Sequence, residues 1–141
     1  MKRSRLAVIT ILLVLGATAA LVASNAIFPK PISSELPMYP EGARSARVAG
    51  TVKIWFVLDG SGAVIRAQTV SGNPMLRDAA LSTVKSWKFL ANSMQANVQY
   101  ETEFVYLLKV QPKKGEPRLT VSMTDFRRVE IVSERYAETN E

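Results

Sequence analysis

Residues 98–110 alternate between apolar and polar side chains more regularly than any other stretch of this 141-residue chain. Val98, Tyr100, Thr102, Phe104, Tyr106, Leu108 and Val110 fall on one side, and Gln99, Glu101, Glu103 and Lys109 on the other. A period of two is that of a strand, because successive side chains leave a pleated backbone on opposite faces. A strand this long needs partners, and the preceding residues supply them. In 51–58, Val52, Ile54, Phe56 and Leu58 share one face, opposed by Lys53, Trp55 and Val57. Asp59-Gly60-Ser61-Gly62 then reads as a turn, and 63–70 as the returning arm of a hairpin. The Asp-Gly pair also begins like a calcium loop, but the remaining ligand spacing is missing and hairpin chemistry accounts for it.

Between hairpin and long strand lies one helical pattern. Ser71-Gly72-Asn73-Pro74 ends the hairpin, with Asn73 placed to cap a helix and Pro74 at its first position, where a missing N–H costs nothing. Leu76, Ala79, Ala80, Thr83, Val84 and Trp87 recur at helical spacing, with Arg77, Asp78, Lys85 and Lys88 away from that stripe. Trp87 closes the stripe as a core plug. Upstream, Pro40 suits the start of a short helix over 40–47 that carries Ala43 and Val48 inward. The order predicts an α+β fold, αββαβ: a three-stranded antiparallel sheet with one or two helices packed on one face. The helix crosses over to set the last strand beside the first, right-handed by default, which leaves that last strand at an edge.

The tail is open between two readings. Residues 111–117 read as a loop, and 119–124 alternate weakly. Phe126, Val129, Val132 and Tyr136 suit a short helix, whereas Val129 and Ile131 suit a strand.

At the other end, Lys2, Arg3 and Arg5 precede an uncharged apolar run over 6–23. Residues 1–26 serve either as a cleaved signal peptide, with Ser24-Asn25-Ala26 as small residues at the cleavage site, or as an inner-membrane anchor. Either way the rest is exported, since the flanking cations stay in the cytoplasm. The organisation expected is therefore 1–26 leader or anchor, 27–37 a short extended Pro/Ser-rich lead-in, 38–110 a globular domain, and 111–141 a linker and tail.

Composition excludes several functions. There is no cysteine and no histidine, which removes disulfides, thiol nucleophiles, Ser-His-Asp triads and His-ligated metals. The formal charge of +6 falls to +3 without the leader, leaving 15 basic and 12 acidic side chains. That balance, with no basic run interleaved with aromatics, gives no footprint for nucleic acid. Among the carboxylates, Asp59 is accounted for by its turn, Asp78 by a helix surface, and Glu101 with Glu103 by a strand surface. No cofactor, no metal and no enzymatic activity are expected.

Residues 37–110 resemble the TonB C-terminal domain family. The likeness rests on Tyr39-Pro40 before a helix with Ala43-Arg44, then Gly50-Thr51-Val52 opening a strand. Asp59, Gly60 and Gly62 follow in the turn, Ser71-Gly72-Asn73-Pro74 leads to Leu76 and Ala79-Ala80, and Trp87-Lys88-Phe89 closes the pattern. The combination is specific; any one of these features alone is weak. The resemblance implies a periplasmic protein-binding module that takes a segment of an outer-membrane transporter by strand addition. Gln99, Tyr100, Glu101, Thr102, Glu103, Phe104, Val105 and Tyr106 would form the docking edge, offering unpaired backbone groups to an extended peptide. The alternative is an envelope-assembly protein that uses the same edge to self-associate, most simply as a homodimer. The sequence departs from the family in three respects. The long Pro-rich spacer is missing, the N-terminal apolar run has no histidine, and a hairpin formed by the tail would lie against the docking edge.

Overall fold

The computed structural model describes residues 28–91, 98–111 and 118–136. The leader expected at 1–26, most of the loop expected at 111–117 and the chain end at 137–141 lie outside these residues.

Alternation and turn chemistry build the expected hairpin. β2 (Gly50–Leu58) and β3 (Val64–Ser71) pair antiparallel, and β2 pairs antiparallel on its other side with β5 (Gln99–Gln111), from Gly50 opposite Tyr106 to Val57 opposite Gln99. α1 (Glu41–Ser45) is short and buries Ala43, while α2 (Pro74–Ser86) buries Leu76, Ala80, Thr83 and Val84. Asn73 caps α2, its side-chain oxygen accepting from the Met75 N–H at 2.9 Å. Both helices join the apolar face of the sheet, where Val52, Ile54, Phe56, Leu58, Phe104 and Tyr106 are sealed from solvent. The fold is α+β, as the element order predicts.

The lead-in is part of the folded body. β1 (Pro31–Ser33) pairs antiparallel with β4 (Lys88–Phe89), and the Leu90 N–H donates to the Lys30 carbonyl at 2.7 Å. Phe28 packs edge-on to Phe56, Phe89 and Tyr100 with ring centroids about 6 Å apart, and Pro29 and Pro37 are buried. A stretch with no periodic apolar face is held by one aromatic ring and two prolines.

The tail forms two strands, not a helix: β6 (Arg118–Asp125) and β7 (Arg128–Tyr136). The Asp125 carboxylate accepts from the Arg127 N–H at 3.1 Å in the turn between them. The helical spacing of Phe126, Val129 and Val132 loses to the two-residue spacing of Val129 and Ile131, which drives both fully out of solvent on the core face. The sheet has five strands in the order β3-β2-β5-β7-β6. The chain leaves β5, passes one position further out to β6, and returns through β7 into the gap. β7 runs parallel to β5, from Glu103 opposite Arg128 to Gln111 opposite Tyr136. The long strand expected at an edge is an interior one over that stretch.

Candidate partner-binding edge

The eight residues expected to dock a partner all lie on β5, and the structure divides them into two groups. Glu103, Phe104, Val105 and Tyr106 have β2 on one side and β7 on the other. The Glu103 N–H donates to the Arg127 carbonyl at 2.8 Å, so this backbone already holds an added strand. Gln99, Tyr100, Glu101 and Thr102 pair with β2 alone among the described strands. Even here the boundary is tied down, because the Thr102 hydroxyl donates to the Phe126 carbonyl at 2.6 Å across the start of the tail hairpin.

Side chains on β5 keep the alternation read in the sequence from Gln99 to Phe104; beyond that Val105 is buried on the outer face and Val110 is exposed. Tyr100, Thr102, Phe104 and Tyr106 are buried on the core face, while Gln99 and Glu101 are exposed on the opposite face. Glu103 sits on that outer face at the centre of a charged row. Lys53 Nζ lies 2.9 Å from its Oε1, Arg128 Nη1 lies 3.7 Å from its Oε2, and Arg128 Nε reaches Glu130 at 3.2 Å. The hydrogen bond to Glu103 holds the Lys53 ammonium above its usual pKa. Such partly exposed pairs add little stability individually, but this row joins β2, β5 and β7 and so fixes register. It also means that Glu101 and Glu103 do not form a free carboxylate pair.

The motif residues outside β5 build the frame. The Tyr39 hydroxyl donates to the Val48 carbonyl at 2.7 Å, and its ring packs edge-on to Tyr106 at 5.1 Å, which locks the chain ahead of α1 against the middle of β5. Burial raises the pKa of both phenols. Pro40 precedes α1, and Gly50 opens β2. The Asp59 carboxylate accepts from the Ser61 hydroxyl at 2.6 Å, the Ser61 N–H at 2.8 Å and the Ala63 N–H at 3.0 Å. Those donors favour its charged form and lower its pKa, the Ser61 hydroxyl foremost. Gly62 has φ +87° and its carbonyl accepts from the Phe89 N–H at 2.8 Å, joining the turn to β4. Ser71 ends β3, and Gly72 passes so close to β2 that a Cβ there would lie 2.8 Å from the Val52 side chain. Trp87 and Phe89 are core residues, 1% and 0% exposed.

The sequence leaves the segment of β7 open between a helix and a strand, with a tail hairpin against β5 as one arrangement, and the strand is what forms. Its signal is the Val129-x-Ile131 spacing, two apolar residues that need a sheet face and find it beside Phe104 and Tyr106.

A fold of two helices on a sheet framed by these turn residues defines a small α+β binding module. The family model of the Gram-negative bacterial TonB protein C-terminal matches residues 35–108, and the chain belongs to that family. It is a family of periplasmic, non-enzymatic protein-interaction domains. No curated protein matches the chain. The match stops before β6 and β7, so the hairpin whose β7 lies along β5 is outside the matched residues. Among the described residues no helix is long and apolar enough to cross a membrane, and the apolar run at 6–23 lies outside them.

Proposed function

We propose that the chain is an exported binding module linked to transport across the outer membrane, which takes an extended receptor segment on β5 at residues 99–106, where its own β7 now fills the place beside 103–106. The observation that carries this reading is the contact made by β7. It is an extended segment lying along the far side of β5, it begins at Glu103, and it comes from outside the family-matched region. A receptor segment would start at 99–102, where β5 pairs with β2 alone among the described strands, and advance as β7 withdraws. Exposed Gln99 and Glu101 and half-buried Glu103 would sense its alternate side chains.

The reach of such a module is short. Residues 24–27 are all that separate the apolar run from the packed ring of Phe28, about 14 Å at full extension. With the run retained as an anchor, the domain works against the inner membrane surface.

The chain has no cysteine, so an introduced pair can lock the edge cleanly. Lys109 and Glu134 face each other across β5 and β7. In a Lys109→Cys/Glu134→Cys variant, oxidation is expected to abolish binding of receptor N-terminal peptides and reduction to restore it, as read from perturbation of the amide signals of 99–106. Equal binding by the oxidised and reduced forms contradicts docking on β5.

A further inference from the structure

The sheet has two outer strands, β3 and β6, and they are built differently. The pairing of β3 with β2 slips register twice, near each end. Ile65 and Val70 fall at the slips and point into solvent at 60% and 55% exposure. Bulges of this kind keep an edge from accepting another strand. β6 has no such protection over 118–123, where its register with β7 is unbroken from Arg118 opposite Glu134 to Met123 opposite Val129. Arg118 is the only charged residue in that stretch, and no described strand pairs with its outer side. Its core-face row is also incompletely covered: Leu119 is 46% exposed, and Val121 and Met123 are half-buried.

This edge is complementary to itself. If two copies meet antiparallel about a two-fold axis at Val121, then Val121 faces its own counterpart, Leu119 faces Met123, and Thr120 faces Ser122. Each pairing joins residues of the same sheet face, so the half-buried apolar row continues from one copy into the next. Charge follows the same symmetry. Arg118 and Asp125 stand at opposite ends of the strand, and both lie on the outer face, since they pair with Glu134 and Arg128. The two-fold brings Arg118 of each copy to the Asp125 end of the other.

We propose that β6 is the interface through which two copies of this chain join, forming one continuous sheet with five strands from each copy. The interface is a different edge from the β5 docking strand, so either can fail without the other.

Opposed residues in an antiparallel ladder have Cα atoms about 4.5–5.5 Å apart, within disulfide range. The full chain carrying Val121→Cys is therefore expected to run as a covalent dimer on a non-reducing gel after oxidation, and the chain carrying Gln68→Cys on β3 to remain monomeric. Two populations of the full chain, one with Thr120→Cys and one with Ser122→Cys, both at exposed positions, should cross-link to each other and not to themselves. In the Val121→Cys background, Arg118→Asp or Asp125→Arg alone sets like charges together and should cut the dimer yield roughly tenfold, while the two combined should restore it. Cross-linking at Val121 and between positions 120 and 122 no stronger than at Gln68 overturns the proposal. So does a combined charge reversal that fails to recover the dimer.

Discussion

Trp87→Ala is expected to destabilise the domain by about 3–5 kcal/mol, the usual range for deleting a buried indole. The ring is 1% exposed and lies among Phe56, Phe89, Phe104 and Phe126, with centroids between 4.9 and 6.1 Å. These contacts join β2, β4, β5 and the tail hairpin through a single side chain. Its closest ring is Phe126, at 4.9 Å, in the turn that leads into β7. Loss of the indole thus both opens a cavity and loosens the strand that closes β5. A domain of this size has about 5–15 kcal/mol to lose, so the variant should unfold at a much lower denaturant concentration. Trp87→Phe separates volume from chemistry. The indole N–H is buried and finds no acceptor among the described residues, so phenylalanine removes an unsatisfied donor along with some volume. Its cost should stay below about 1.5 kcal/mol. Denaturant midpoints of the two variants check both expectations, and an alanine cost under about 1 kcal/mol would contradict this placement of Trp87.

Gly62→Ala is the second large effect, and it comes from the backbone. A Cβ at Gly62 would lie 1.8 Å from the Phe89 carbonyl oxygen and 2.8 Å from its carbon, at a φ of +87°. Backbone atoms cannot rotate aside as the tip of a flexible side chain can. Relief requires moving β4 away from the turn, which breaks the hydrogen bond from the Phe89 N–H to the Gly62 carbonyl. Strain and the lost bond together should cost about 3–4 kcal/mol. Gly60, two residues earlier in the same turn, has nothing within 4 Å of an added Cβ. Gly60→Ala should therefore fall within about 0.5 kcal/mol of the parent. Equal thermal midpoints for the two alanine variants would contradict the close approach of the turn to β4.

These two residues show what the sequence reveals and what it hides. That Gly62 belongs to a turn and Trp87 to a core is legible from dipeptide chemistry and helical spacing, because both signals are local. So are the alternation of β2 and β5 and the Asn73-Pro74 start of α2. Pairing partners are a different matter. Phe28 carries no periodic pattern, yet it packs against three rings on three strands, Phe56 of β2, Phe89 of β4 and Tyr100 of β5, with the Arg127 guanidinium of the tail turn over its face, contacts that no spacing rule foresees. The tail is subtler. A strand that follows another through a short connection ordinarily becomes its neighbour, which would set β6 against β5. Here β7 takes that place, because Val129 and Ile131 bury completely beside Phe104 and Tyr106 while the β6 row of Leu119, Val121 and Met123 stays partly open. Topology was decided by which of two weakly patterned strands buries more apolar surface, a comparison that needs the finished sheet.

The consequence reaches function. The family is one of periplasmic protein-interaction domains, and in this chain the additional hairpin changes the terms on which the long strand could be used. In the proposed docking a receptor segment would not meet a bare edge at Glu103; it would meet β7, secured by Val129 and Ile131 in the core and by the charged row of Lys53, Glu103, Arg128 and Glu130 outside. Docking on β5 would then be an exchange of one strand for another, with an affinity set by the difference between two pairings.

Amide hydrogen exchange along β5 of the full chain tests the closed edge most directly. The Glu103 N–H points toward β7, and by the two-residue period of a strand so do those of Val105, Leu107 and Lys109. Those amides should be protected as strongly as the Phe104 and Tyr106 amides, which face β2, whereas Glu101, which has no described strand on the β7 side, should exchange faster. Rapid exchange at Glu103, Val105 and Leu107, with protection retained at Phe104, would mean that β7 does not hold that place and that the docking edge stands open.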